Sequence, residues 1–271
     1  MKQLSVIAVL LASHCVAYSF QASQMAAKRT DFKPVSNADL PFKAGEKLQY
    51  NIQYGFVKAG EAELQVKSIT ERNKKPVFHM VGTGRTTGMT DWFFHTEDRY
   101  ETYMDTSELH PLEFIRDVDE GGYTINRHIY FNQDDLTATD TYKRDTVFQL
   151  DQQMQDIFSA FYYARSMDVK GIAIGDEIHI PVFLDHETFP FILRYGGVER
   201  VELDDFSVNC MKFTPVVQEG RVFKEEESMT IWVSNDKNRI PIKLKSELAV
   251  GSITVELTKY ANLAHPMRIY R

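Results

Sequence analysis

Cysteine is scarce in this sequence, whose 271 residues include two, Cys15 and Cys210. Because Cys15 lies in the predicted leader described below, removal of that leader would leave Cys210 alone and exclude an intrachain disulfide bond. A single cysteine in the run FSVNCMKF is typical of apolar packing rather than of a nucleophile. Hydrophobic residues make up 43% of the chain, so a core can form without covalent cross-links.

Positive charge is also in short supply, since 31 Lys and Arg residues face 38 Asp and Glu residues and the formal net charge is −7. Loss of Lys2 with the leader removes one positive charge and makes the mature chain −8. Nucleic acids and anionic lipids require a basic surface. The charge balance therefore argues against either as the main partner.

The apolar run LSVIAVLLA, at residues 4–12, is too short to span a bilayer, which takes about twenty residues. Lys2 precedes this run and the small residues Ala17 and Ser19 follow it, so residues 1–19 are predicted to be a secretory signal peptide. We expect an exported, soluble periplasmic protein with no transmembrane segment in the mature chain. Lipid anchoring through Cys15 is the alternative.

Catalytic motifs are missing or incomplete. In GTGRTTG the glycines are spaced one residue too widely for the dinucleotide-binding fingerprint. The run DVDEGG resembles the start of a calcium loop, but Gly121 and His128 occupy positions that require ligands, and a hairpin turn explains the run better. No serine has the flanking glycines of a nucleophile elbow.

Histidine and acidic residues are clustered in one run of the sequence, HIPVFLDHETF. Two imidazoles and a carboxylate suffice to hold a metal ion. However, part of this run falls at a predicted hairpin tip, where polar residues need no ligand role. We therefore predict no metal, no cofactor and no catalytic residue from this group, which comprises His179, Asp185, His186 and Glu187.

Alternating apolar and polar residues predict a mostly β domain. The pattern begins in EKLQYNIQY after Gly45 and recurs along the chain between turn sequences such as EGG, NQDD and SNDKN, which predicts roughly ten to thirteen strands. The first two strands are expected to form a hairpin around VKAG, residues 57–60. We predict an antiparallel curved sheet or barrel-like domain of successive hairpins over residues 42–260, with a sandwich as the other option. Residues 20–41 are predicted to be a polar arm or tether, and residues 261–271 a C-terminal extension.

One segment has helical rather than alternating periodicity. In DQQMQDIFSAFYYARSM, residues 151–167, apolar side chains recur at helical spacing and Asp151 is a suitable N-cap. This main amphipathic helix is expected to cover the concave side of the sheet or to fill its open end.

Four segments resemble the bacterial exported proteins of the domain of unknown function 3108 family. They are GEKLQYNIQYGFVKAGEAELQV, EDRYETYMDTSELHPLEF, QMQDIFSAFYYARSMDVKGIAIGDEIHIPVF and IWVSNDKNRIPIKLKSELAVGS. The resemblance extends over roughly residues 42–259. It implies an envelope protein with a largely β fold and no established activity, and it supplies no catalytic residues. Matching residues, in order, include Gly45, Glu46, Ala59, Gly60, Asp98, Arg99, Pro111, Gln155, Asp156, Ser159, Arg165, Trp232, Asp236, Arg239 and Pro241.

Two sets of residues are candidates for special roles. Trp92, Phe93 and Phe94 are consecutive, so strand alternation would turn at least one ring away from the core, where exposed apolar groups usually mark contacts. Buried cations would need carboxylate partners, for which Asp98, Asp156 and Asp236 are candidates. The predicted ligand-binding residues are Trp92, Phe94, Phe158, Phe161 and Tyr162, and the predicted structural ion pairs involve Arg99, Arg127, Asp156, Arg165 and Asp236.

Three functions are compatible with these features. The abundance of aromatic residues and the lack of catalytic motifs favour a non-enzymatic envelope protein that binds a lipid-like or other hydrophobic ligand. An envelope interaction or assembly protein, which contacts a partner through the arm or the WFF segment, is the alternative. A hydrolase that uses Asp and His residues is the third.

Overall fold

A computed structural model describes residues 32–142, 145–216, 229–248 and 250–270. The predicted signal peptide, Cys15 and residues 20–31 of the predicted arm lie outside the described residues.

In these ranges, fourteen antiparallel strands form one curved sheet that does not close, so the predicted mostly β fold is confirmed. The order across the sheet is β8-β7-β6-β5-β4-β3-β2-β1-β14-β13-β12-β11-β10-β9. Strands that lie side by side in the sheet are therefore also consecutive in the sequence, except for the central pair, β1 and β14. The strands are β1 Lys47–Tyr54, β2 Val57–Arg72, β3 Lys75–Thr86, β4 Thr96–Asp105, β5 Pro111–Glu120, β6 Tyr123–Asn132, β7 Thr137–Asp140, β8 Thr146–Gln149, β9 Glu177–Leu184, β10 Glu187–Glu202, β11 Ser207–Val216, β12 Met229–Ser234, β13 Pro241–Glu247 and β14 Ser252–Ala261.

The first hairpin turns earlier than the sequence predicts. Its loop is Gly55–Phe56, and VKAG is already part of β2. Gly55 adopts the left-handed conformation, with φ 58°, that a tight turn favours. Gly60 serves strand packing instead, because a Cβ atom there would lie 2.5 Å from the Arg85 carbonyl oxygen. The glycine that suggested a turn thus permits close approach of β2 and β3.

Side chains from the two ends of the sheet meet across the remaining gap. The Phe148 ring on β8 lies 5.6 Å from the Phe183 ring on β9. At the tip of the β9–β10 hairpin, the His186 ring stacks on Phe148, and its Nε2 lies 2.7 Å from a carboxylate oxygen of Asp140 on β7. The outline is therefore barrel-like although the backbone hydrogen bonding is open.

The main helix, α2, extends over Ile157–Ser166 and lies on the concave face against β9 and β4. The predicted start at residue 151 is wrong, because Asp156 rather than Asp151 is the N-cap. The Asp156 carboxylate accepts hydrogen bonds from the backbone of Phe158 and Ser159, and the Ser159 hydroxyl completes a capping box. The preceding residue, Gln155, instead forms backbone hydrogen bonds with Pro181 and Phe183 along β9.

A short helix, α1, connects β3 and β4 over Gly88–Phe93. The strand geometry predicted for the WFF segment is therefore wrong. Trp92 and Phe93 are 81% and 73% exposed, whereas Phe94, after the helix, packs beside Gly121. The expectation that part of the segment leaves the core still agrees with this arrangement.

Both ends of the described chain lie against the sheet domain. In the predicted arm, Val35 donates a backbone hydrogen bond to Ser166 at the end of α2. Phe42 is buried, with its ring 5.2 Å from that of Tyr162. In the predicted C-terminal extension, Tyr270 pairs with Ser207 on β11. Within the described ranges, no helix combines the length and apolar character needed to cross a membrane.

Candidate functional site

An apolar cavity lies between α2 and the concave face of the sheet. The cavity has a volume of about 100 Å³. Leu64 and Tyr100 on the sheet are buried, whereas Phe161, Ala164 and Val233 stay partly exposed at the rim. The lining consists mainly of aliphatic and aromatic side chains, including Tyr50, Leu64, Tyr100, Ile157, Phe158, Phe161, Ala164, Val169, Ile178, Phe191, Leu193, Phe213, Ile231, Val233, Leu244 and Val255.

The position of α2 above the sheet depends on Gly82. A Cβ atom on this residue would lie 2.8 Å from the edge of the Phe158 ring. Without a side chain at this position, the ring rests directly on β3. This contact sets one end of the helix close to the sheet and leaves the cavity beside it.

The predicted ligand-binding residues divide into two groups. Phe158 and Phe161 line the cavity. Tyr162 is fully buried behind it, in edge-to-face contact with Phe158. Its hydroxyl group has no hydrogen-bond partner among the described residues, and burial raises its pKa. Trp92 and Phe94 are outside the lining of this cavity.

A buried ion pair lies beside the cavity at the C-terminal end of α2. Arg165 Nη1 and Nη2 lie 2.7 Å and 3.0 Å from the two carboxylate oxygens of Glu46. Its guanidinium group also donates to the carbonyl oxygens of Pro41 and Asn238. Glu46 thus replaces the aspartates that the sequence suggested as partners for Arg165.

The other charged candidates have separate partners. Arg99 lies 2.6 Å from Glu101, and Arg127 lies 3.5 Å from Asp140. Asp156 forms no ion pair within the described residues. Besides its capping role, it accepts a hydrogen bond of 2.6 Å from the Thr102 hydroxyl. Burial raises the pKa of Asp156 to about 6, although these hydrogen bonds act in the opposite direction.

Asp236 also has no cation within 4 Å in the part of the chain that the structure describes. It organises the β12–β13 loop by accepting hydrogen bonds from the Ser234 hydroxyl and from the backbone of Asn238 and Arg239. Its second oxygen accepts from the backbone of Arg268. Asp236 is therefore a loop-forming residue rather than a partner of a buried arginine.

Arg239 is a cavity residue for which the sequence predicted no role, although it belongs to the set that carries the family resemblance. It is half-buried in the β12–β13 loop, and its φ is 47°. Its Nη1 donates to the carbonyl oxygens of Arg165 and Met167 at the end of α2. The alternation of apolar residues, from which the strands were predicted, does not indicate that a charged residue in a loop would contact the helix beside the cavity.

The histidine and carboxylate group of HIPVFLDHETF is dispersed. His179 contacts Glu177 at 3.1 Å, and His186 contacts Asp140. Asp185 accepts from Arg116 at 3.1 Å. In the described ranges, no three His, Cys, Asp or Glu residues are grouped to hold a metal ion.

A polar groove on the outer face of β1 to β4 is the other large depression. Several of its charged side chains pair with one another or with neighbours, as in Lys47–Glu63 at 2.8 Å and Lys58–Glu61 at 2.7 Å. Such exposed pairs are ordinary features of a solvated sheet face. The apolar cavity is therefore the stronger candidate site.

Exposed apolar side chains collect at one end of the sheet. Met89, Trp92 and Phe93 of α1 are 73–81% exposed, and the adjoining β1–β2 hairpin adds Phe56 and Val57. Contacts of α1 with β2 bring the two groups together. We call these five residues the tip patch.

The comparisons with known proteins agree with the fold and leave the activity open. Residues 49–258 match the model of a family described as "Protein of unknown function (DUF3108)". No curated protein sequence matches the chain.

Solved structures provide a second comparison. A β-barrel-like protein of domain of unknown function DUF1849 from Brucella abortus has a TM-score of 0.54 at 10% identity, over 82% of this chain and 99% of that one. This likeness concerns the fold alone. A "putative lipoprotein" from Parabacteroides distasonis has a TM-score of 0.36 at 10% identity, over 82% and 98% of the two chains. A "putative exported protein" from Bacteroides fragilis has a TM-score of 0.29, with the same identity and coverage.

Proposed function

This chain belongs to the DUF3108 family of proteins of unknown function, and we propose that it is a non-enzymatic envelope protein that binds a hydrophobic, lipid-like ligand. The observation that carries the proposal is the apolar cavity between α2 and the concave sheet face. Sites for small hydrophobic molecules are concave, mostly apolar and supplied with a few polar groups. The cavity has all three properties.

The dimensions favour a chain-like ligand. An enclosed apolar volume on the order of 150 Å³ accommodates a benzene molecule. The 100 Å³ of this cavity would therefore hold a few methylene groups, and the rest of the ligand would lie outside it, at the rim. The partly exposed rim residues Phe161, Ala164 and Val233 would contact that part.

Filling the cavity tests the proposal. Ala164→Trp places an indole group at the rim, and Ala173→Trp, on an exposed turn, is the matched control. We expect Ala164→Trp to weaken binding of the neutral fluorophore N-phenyl-1-naphthylamine by at least about tenfold, since displaced apolar contacts contribute roughly 25 cal/mol per Å². Ala173→Trp should bind it like the unmodified protein.

Native mass spectrometry adds an independent measurement. Protein purified from its own host should carry a small apolar molecule that Ala164→Trp loses. An absence of any co-purified molecule, together with equal fluorophore binding by both variants, would refute the proposed function.

The proposed location is the periplasm, with the mature protein in soluble form. It rests on the leader predicted for residues 1–19, and anchoring through Cys15 remains the alternative location. Fractionation of cells that express the full chain tests both. Recovery in the osmotic-shock fluid supports the soluble form, whereas membrane recovery that Cys15→Ser abolishes supports the anchored form.

A second function, contact with an envelope partner, is favoured by the tip patch. Large exposed apolar groups that cluster together mark interaction sites. Trp92→Ser with Phe93→Ser should abolish cross-links to such a partner, whereas Ile174→Ser, at a site that is also exposed, should preserve them. If the double variant forms the same cross-links as the unmodified protein, this function is excluded.

A further inference from the structure

Three cations contribute to the cavity lining, and two of them have carboxylate partners. Arg165 is paired with Glu46, and Lys243 Nζ lies 2.6 Å from a carboxylate oxygen of Glu256. For Arg239, no carboxylate of the described residues lies within 4 Å of the guanidinium group. The cavity therefore carries a positive charge without a paired carboxylate at its rim.

The contacts of Arg239 leave donors available. Nη1 donates to two carbonyl oxygens at the end of α2. Nε and Nη2 donate to no acceptor in the described ranges, and the side chain is half-buried rather than enclosed. A guanidinium group presents its N–H donors in a planar fork that fits the two oxygens of a carboxylate or phosphate.

The electrostatic surroundings also favour an added anion. Burial lowers the pKa of Arg239, and the charge of Arg165 acts in the same direction. Asp168 and Asp236 oppose this effect, but neither forms an ion pair with the guanidinium group. A cation removed from water in this way is stabilised by an anionic partner.

From this arrangement, and given the proposed function, we infer that the ligand is an amphiphile with one apolar chain and an anionic head group, and that Arg239 binds the head group. The chain would enter the apolar cavity beside Phe158 and Phe161. The head group would remain at the rim, where it meets both the free N–H donors and water.

Matched ligands separate the head group from the chain. Dodecanoate and dodecanol share an apolar chain and differ in charge, so each is titrated as a competitor of N-phenyl-1-naphthylamine below its aggregation concentration. A charge-assisted hydrogen bond adds about tenfold or more in affinity. We expect dodecanoate to bind the unmodified protein at least about tenfold more tightly than dodecanol.

Variants then assign the preference to one residue. Arg239→Gln should remove the preference for dodecanoate while dodecanol binding stays within about twofold. Arg239→Lys, which retains the charge, should retain part of the preference even if the Gln variant fails to fold. Lys237→Gln is the control, because Lys237 lies in the same loop, outside the cavity lining, and pairs with Asp39.

The outcomes distinguish the two proposals. If dodecanoate and dodecanol bind the unmodified protein equally, or if Arg239→Gln keeps the full preference, the head-group inference is overturned and the apolar-ligand function stands. If the unmodified protein binds neither the fluorophore nor either of the two compounds, the proposed function itself fails.

Discussion

Replacement of Glu46 by Gln should destabilise the protein severely. The side chains of Glu46 and Arg165 are 1% and 2% exposed, and two contacts of 2.7 Å and 3.0 Å join them. Glutamine preserves the shape of the side chain but leaves the guanidinium charge buried without a counter-charge. Breaking one side of a buried ion pair typically costs about 3–5 kcal/mol, a large part of the roughly 5–15 kcal/mol that stabilises a folded protein.

Urea unfolding at pH 7, followed by far-ultraviolet circular dichroism, measures this loss. The control is Glu63→Gln, which breaks the ion pair between Glu63 and Lys47. The side chain of Glu63 is 30% exposed and that of Lys47 is 40% exposed. An exposed pair of that kind contributes about 0–1 kcal/mol. A loss for Glu46→Gln no larger than that for Glu63→Gln would refute the reasoning from burial.

A double variant tests the cause more directly. In Glu46→Gln with Arg165→Met, neither buried charge remains, so no cation is left without its partner. We expect this protein to be more stable than Glu46→Gln alone, because replacement of both members of a buried pair is often neutral. If the double variant is less stable than the single one, the hydrogen bonds from Arg165 to Pro41 and Asn238 outweigh the unpaired charge.

Three further predictions concern the interior. The pKa of Asp156 is raised from 3.8 to about 6, so the carboxyl group binds its proton more tightly in the native state than in the unfolded state. The stability that this bound proton contributes is therefore lost as the pH rises from about 4 to 6. Since this rise of about two units corresponds to about 3 kcal/mol, Asp156→Asn should flatten the dependence of the urea midpoint on pH, and an unchanged profile would contradict the assignment. Gly82→Ala should cost about 1–3 kcal/mol through the clash with Phe158, and adding Phe158→Leu should restore part of it, which thermal unfolding measures. Burial raises the pKa of Cys210 to about 12, so iodoacetamide should label it in urea and not in the native protein; rapid native labelling would show that the site opens.

The sheet is well predicted from the sequence because burial on one face imposes a period of two. Leu48, Tyr50 and Ile52 are buried and their polar neighbours are not. The hairpin turn is harder to locate, since Gly55 and Gly60 look alike as turn residues. The approach of β3 to Gly60 distinguishes them, and that contact joins residues distant in sequence.

The helices show the same limit. Asp151 and Asp156 are both suitable N-caps, and backbone pairing of Gln155 with β9 decides between them. The apolar stripe of α2 places Phe158 and Phe161 on the side of the helix that faces the cavity, which agrees with their position in its lining. The role of Arg239 could not be predicted from the sequence, because its contact with α2 depends on the path of the β12–β13 loop, which is distant from α2 in the chain.

The pairing of β1 with β14 has a consequence for the order in which the protein folds. Each half of the sheet, β1 to β8 and β9 to β14, consists of strands that follow one another in the chain, so either half involves short-range contacts. The central pair joins Lys47–Tyr54 to Ser252–Ala261, about two hundred residues away. Contacts of such long range form slowly because they close a large loop. The middle of the sheet therefore forms only after the last strand, β14, has been synthesised, so folding cannot be completed on a partly synthesised chain that still lacks this strand.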